Sequence, residues 1–298
     1  MNITNKRTKL LSLGTINLSD YSLKSDIYGL WICLKIFLPY TLLLFGLYIS
    51  KHIFFSILIS IAISIYAYKF SFIMHDCAHN SLFNSKNFCS ILGNFVGLIV
   101  GSEFKSYKKA HLQHHINLGN IELDKDFDEY TFKEKIQHLI KPLFFLRILQ
   151  MLKKNNVLDK DNQVQFIDKF KWILQFALIQ FFIVAVISNF GQAFGKVIIY
   201  YLCLSTVSLF LGRLRTTAEH GRSINFGSDK KELTRTHHPN LIDKFLLYDA
   251  NFNYHLEHHL FPQISSFQYP KIFKKLKNEI HDDNTLGASM FSTIFNLK

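Results

Sequence analysis

The sequence is short of charge, proline, glycine and cysteine. Charged residues fill 19% of its 298 positions, below the quarter or so usual in soluble domains. Five Pro and 13 Gly are too few for a fibrous chain, and a hydrophobic content of 49% is too high for a disordered one. The four Cys, at Cys33, Cys77, Cys89 and Cys203, have no paired spacing, which removes a disulfide framework and a thiolate zinc site. Residues 1–30 contain no apolar run followed by a small-residue cleavage site, so no signal peptide is expected. Basic residues, in contrast, are in surplus: 34 against 22 acidic, a net of +12. Such a surplus suits nucleic acid or an anionic membrane surface. The basic residues lack the aromatic interleaving of nucleic-acid binders, so a membrane is expected and nucleic acid is not.

The apolar residues are gathered into runs. Trp31 to Ser50 is broken only by Lys35 and Pro39, and His52 to Met74 follows at once. Trp172 to Phe190 and Val197 to Gly212 form a second pair. At about 1.5 Å per residue, the second run alone reaches about 34 Å, enough to cross a bilayer core. The expected architecture is an all-α integral membrane protein of one domain, 1–298. It has four spans, at 31–50, 52–74, 172–190 and 197–212, in two tight hairpins. Residues 75–170 and 213–298 form a helical cap. The two hairpin turns carry only Lys51 and Lys196, so the positive-inside rule puts both termini and the cap in the cytoplasm. Two weaker segments remain. Phe88 to Gly101 is too short to span with certainty and reads as re-entrant, interfacial or core. Pro142 to Leu152, flanked by Lys141, Lys153 and Lys154, suits an interfacial helix.

Fourteen His is the anomalous count. His75 and His79 stand at i and i+4. His111, His114 and His115 stand at i, i+3 and i+4, and His255, His258 and His259 repeat that spacing. On a helix such positions share a face. His220 lies just beyond the fourth run. Every cluster falls in a segment that the charge rule places on one side of the membrane. So many imidazoles could not be protonated together without strong repulsion, whereas neutral imidazoles around metal remove that difficulty. Imidazole suits Zn, Cu, Fe and Ni. An ordinary site takes about four ligands, so eight or nine His imply two ions.

At these residues the sequence resembles the membrane fatty acid desaturases, within the wider desaturase–hydroxylase–ketolase superfamily. HDCAH, HLQHH and HLEHH stand in the order of that family's three histidine boxes, and the flanks NYHLEHHLFP of Asn253–Pro262 match its third box. The resemblance runs from about residue 30 to 275. It implies four spans carrying a cytoplasmic cap with a di-iron centre, and O2 as co-substrate. It makes iron ligands of His75, His79, His111, His114, His115, His255, His258 and His259. His220 matches an additional ligand of related enzymes. Stearoyl-type relatives carry Asn four positions before it, where this chain has Thr216.

The resemblance implies removal of two hydrogens from an acyl chain, a step no side-chain acid or base performs and which belongs to the cofactor. Ligand imidazoles usually donate their other N–H to a carboxylate or carbonyl. Asp76, Asp124, Asp126, Glu219, Asn251, Asn253 and Glu257 are the candidates for that support. Cys77 reads as filler within the first box; His237, His238, His52, His138 and His281 read as surface or packing residues. No GxGxxG fingerprint and no fused cytochrome b5 segment is present, so a separate ferredoxin or cytochrome b5 is the expected donor. His255, where front-end desaturases carry Gln, argues against that subgroup. The compact form favours a bacterial inner membrane. The alternatives within the superfamily are a carotenoid ketolase or hydroxylase, a sphingolipid desaturase or a lipid hydroxylase. A metal transporter would place ionisable ligands along a path within the spans.

Overall fold

The computed structural model describes residues 16–21, 24–118, 120, 123–124, 162–188, 193–220, 234–280 and 286–287. Asp126, His138, His281 and the Pro142–Leu152 segment lie outside the described residues. The described chain is mostly helical. Helix α1 (Asp26–Ile49) starts at Ser25, whose hydroxyl accepts the Tyr28 amide at 3.2 Å and so satisfies one orphan donor of the first turn. Three residues then lead into α2 (Ile53–Ala78), which packs along α1. The later long helices are α5 (Asn162–Ile187) and α6 (Phe194–Cys203). The latter continues through a π-helical turn, Leu204–Ser208, into α7 (Leu209–His220).

Among the described residues, four helical stretches are long and apolar enough to cross a membrane, Asp26–Ile49, Ile53–Ala78, Lys169–Ile187 and Phe194–His220, and the bent pair Lys86–Val100 with Phe104–Asn117 makes a fifth if it counts as one span. Their outward faces stay apolar. Phe181 and Phe182 are 72% and 69% exposed, and Ile27 is 82% exposed. Water would not favour these faces, but lipid tails would. Inside, Ile36, Tyr40, Ile63, Phe70 and Tyr200 close a common core, and the Tyr40 and Tyr200 hydroxyls meet at 3.2 Å. Each span differs in extent from its expected run. The first, third and fourth helices begin earlier than their apolar runs, and the second and fourth continue past theirs, because backbone hydrogen bonding propagates whether or not the side chains are apolar. Consequently His75 and Asp76 belong to the last turn of α2, and His220 is the last residue of α7.

The Phe88–Gly101 segment becomes α3 (Lys86–Val100), followed by α4 (Phe104–Asn117) after a bend of 103°. Two glycines allow this bend. Gly101 ends α3 with φ +70°, a left-handed conformation that costs other residues about 1 kcal/mol or more. At Gly97 an added Cβ would stand 2.4 Å from the Ser102 carbonyl oxygen. The Ser102 amide donates to Gly97 O at 2.9 Å, so the chain folds back on the helix it has just left.

The C-terminal described region is made of short pieces: strand β1 (Thr236–His237), α8 (Leu241–Leu246), α9 (His255–Leu260), α10 (Tyr269–Ile280) and strand β2 (Leu286–Gly287), parallel to β1. Leu256, Leu260, Phe261, Ile264, Ile272 and Leu276 give this region its own core. It is tied to the spans by a buried ion pair. Asp249 sits between Lys69 of α2, at 3.1 Å, and Lys35 of α1. Burial works against the Asp249 carboxylate, but the two ammonium groups more than offset it and hold its pKa below the usual range.

Candidate metal centre

Four helix ends converge on one point. α2 brings His75, with His79 as its C-cap, α4 brings His111, His114 and His115, α7 brings His220, and α9 brings His255, His258 and His259. All nine histidines singled out from the sequence fall into groups whose ligand atoms lie within 4.8 Å of one another. One group is His75, His79, His111, His115 and His258. The others are His114, His220 and His259, and Glu219, His220 and His255. Each HxxHH therefore does more than present one face: α4 and α9 divide their histidines between two neighbouring clusters. His115 and His259 stack across the boundary with ring centroids 4.2 Å apart.

The imidazoles meet through one kind of atom. Nε2–Nε2 separations are 3.0 Å for His75–His258, 2.9 Å for His79–His111, 3.2 Å for His111–His115 and 2.9 Å for His115–His258. In the second cluster they are 2.7 Å for His220–His255 and 3.2 Å for His255–His259. Ligands about 2.1 Å from a metal and at right angles to one another stand about 3.0 Å apart. The donor spacing thus suits metal ions held by neutral imidazoles.

The outward nitrogens explain why Nε2 is free. His75 Nδ1 lies 3.1 Å from Asp76 Oδ1, and Ser266 donates to the other Asp76 oxygen at 2.9 Å. His114 Nδ1 lies 2.7 Å from Asp124 Oδ1. His258 Nδ1 lies 2.9 Å from the Tyr269 hydroxyl, which donates its own proton to Ile264 O at 3.1 Å. Having one proton and having given it away, Tyr269 accepts from His258 Nδ1–H. In each case the proton is fixed on Nδ1 and the Nε2 lone pair faces the cluster. Burial, reinforced by like-charged neighbours, holds His255, His258 and His259 well below the ordinary histidine pKa. His79, disfavoured as a cation first by desolvation and then by Lys108, is lowered to about 3. Neutral imidazole is the ligand form.

The remaining candidates divide by position. Glu219 is buried, with Oε2 3.6 Å from His255 Nε2 and 3.3 Å from Arg215 Nε. Glu257 accepts the Thr236 hydroxyl. Asn251 donates to Ser266 O and Asn253 to His237 O, so both amides brace loop backbone. Cys77 is packed in the spans' core. His52 and His238 are exposed, and His237 is buried against Tyr248. Thr216 turns its hydroxyl back to Gly212 O. Tyr269, Ser266 and Arg215 join the site without a signal in the sequence. A tyrosine 11 positions after His258 has no spacing that marks it, and Arg215 looks like an ordinary flanking charge. Arg215 is held over the rings of Phe72 and Phe252, at 5.1 and 5.5 Å.

Apolar helices long enough to cross a bilayer, ending in a buried double cluster of imidazoles, define a membrane protein able to bind metal. The fatty acid desaturase family model matches residues 30–288, and the chain belongs to that family. Membership brings an oxidoreductase class and metal dependence. At the level of single proteins, the chain is similar to dihydrorhizobitoxine desaturase of Bradyrhizobium elkanii. The two are 26% identical over 214 residues, covering 64% of this chain and 59% of the relative.

Proposed function

We propose that this protein is an oxygen-dependent desaturase that introduces a C=C bond into a fatty acyl chain, at a di-iron centre held by His75, His79, His111, His114, His115, His220, His255, His258 and His259. The observation that carries the reading is the convergence of nine histidines, from the ends of two apolar spans and from the short helices α4 and α9, on two neighbouring clusters. When bound, the ions would activate dioxygen, which no side chain here can do. The chain's own residues hold the donors neutral, fix their tautomers through Asp76, Asp124 and Tyr269, and keep bulk water away from the buried clusters.

The electron balance requires a partner. The acyl chain gives up two hydrogens, and O2 becomes two waters on taking four electrons, so a donor must supply the other two. A separate ferredoxin or cytochrome b5 fits, and the net charge of +12 would steer an acidic donor. Lys271, Lys274, Lys275 and Lys277 on α10 suit that encounter. The topology we propose pairs the spans as two hairpins and puts both termini and the cap region, 75–170 and 213–298, in the cytoplasm, with a bacterial inner membrane favoured. The relative's printed name assigns it desaturation, which supports the reaction type and leaves the acyl substrate as our own reading.

The test is a lipid profile. The chain and its His259→Ala variant are expressed in a host poor in unsaturated lipids, with iron and a ferredoxin supplied. An acyl species lighter by two hydrogens, absent with the variant, is the expected result. An acyl species heavier by one oxygen would replace the reading with a hydroxylase. Oxidised carotenoid with unchanged acyl chains would replace it with a ketolase or hydroxylase.

A further inference from the structure

The two clusters are unequal in imidazoles. Five histidines form the first, whereas the second has four: His114, His220, His255 and His259. Their Nε2 spacings of 2.7 and 3.2 Å in the second cluster are shorter than the roughly 3.4 Å edges of a four-coordinate tetrahedral site with bonds of about 2.1 Å. The spacing asks for a further donor.

We propose that Glu219 is a direct carboxylate ligand of the second metal ion, completing a five-donor set that matches the first. The inference rests on the di-metal reading above and deepens it. Glu219 is adjacent to His220 at the end of α7, and its carboxylate groups with the ligand atoms of His220 and His255 within 4.8 Å. Its side matters most. Asp76 and Asp124 approach their imidazoles at Nδ1, the outward nitrogen, and act as supports. Glu219 instead approaches His255 at Nε2, the nitrogen that faces the cluster, while His255 Nδ1 makes no hydrogen bond among the described residues. The other carboxylate oxygen, Oε1, is buried with no hydrogen-bond partner among the described residues, an arrangement that is costly unless something binds there. Arg215, one turn earlier, lies against Oε2 at 3.3 Å and steadies the carboxylate. Carboxylate oxygen and imidazole nitrogen together suit a non-haem iron ion.

The experiment counts metal, independently of turnover. Wild type, Glu219→Gln, Glu219→Asp, His79→Ala and His259→Ala are purified in detergent and loaded with limiting iron. Metal per folded chain is measured by mass spectrometry, and ligand-field absorption is recorded after cobalt(II) replacement. Glu219→Gln is expected to fall from about two ions per chain toward about one, as His259→Ala does, and to lose the second site's cobalt bands. Glu219→Asp should keep both ions with weaker retention of the second. Two ions and unchanged cobalt bands in Glu219→Gln, with loss in both His variants, would overturn the ligand role while leaving the di-metal site standing. Two ions in every His variant would overturn both. Should Glu219→Gln not fold, the infrared carboxylate stretch decides. A shift in wild type on metal loading that moves again in Glu219→Asp supports the ligand, and no shift overturns it.

Discussion

At the scale of single residues, the centre depends on groups that never touch a reacting atom. Tyr269 is the clearest case. By accepting from His258 Nδ1–H and donating to Ile264 O, it fixes the tautomer that offers Nε2. Tyr269→Phe keeps the ring and deletes the acceptor. Metal affinity should fall by about 10–100-fold, the usual range for loss of such a support, and a chelator competition assay would reveal it. Unchanged affinity would mean that His258 is oriented by packing alone. The three boxes were legible in the sequence because helical spacing is a local property. Tyr269, Ser266 and Arg215 were not, because each becomes meaningful only through tertiary contacts that no helical spacing marks: Ser266 donates to Asp76, on α2 and 190 positions away, and Tyr269 meets His258 across the turn after α9.

At the scale of elements, α4 carries three of the nine histidines and owes its direction to the bend after α3. Gly97→Val would drive side-chain atoms into Ser102 O, which stands 2.4 Å from even a Cβ. Relief requires the bend to open, so metal content should drop and stability with it, by about 1–3 kcal/mol or more, as in an overpacked site. Gly101→Ala, whose Cβ would meet only Phe176 at 3.5 Å, should cost about 1 kcal/mol and keep the metal. A thermal-shift assay with metal counting separates the two. The four long helices were legible from their apolar runs, since nothing else stays apolar for that length. Their ends were not: polar residues such as Asp26 and His75 continue a helix as readily as they end one. Nor did the sequence indicate the 103° bend, because Gly97 gains its meaning from a carbonyl five residues on.

At the scale of the whole molecule, the C-terminal region and the spans are locked by the Lys35–Asp249–Lys69 cluster. Lys69 has a side chain only 4% exposed, so Asp249→Ala would strand a buried cation. Unfolding in detergent should become easier by about 3–5 kcal/mol, the range for breaking a buried pair, whereas Lys35→Ala, at a half-exposed position, should cost far less. The metal-free protein should also respond to pH. The folded pKa of His79 is about 3, against about 6.5 in an unfolded chain. Between those values the unfolded chain binds more protons, so stability falls as pH drops below about 6.5. His255, His258 and His259 add to the same slope. Above that pH these four imidazoles are already neutral. Metal binding at pH 7 should then release few protons from them, which calorimetry in two buffers of different ionisation enthalpy would measure.

The split of the α9 histidines between the clusters, His258 to one and His255 and His259 to the other, has a consequence for biosynthesis. Synthesis runs from the N-terminal side, so His75, His79, His111, His114, His115 and His220 are made before α9 exists. Neither cluster is complete until α9 arrives. Without α9 the first cluster keeps His75, His79, His111 and His115, whereas of its histidines the second keeps only His114 and His220, so a chain truncated before α9 should hold at most one of two metal ions.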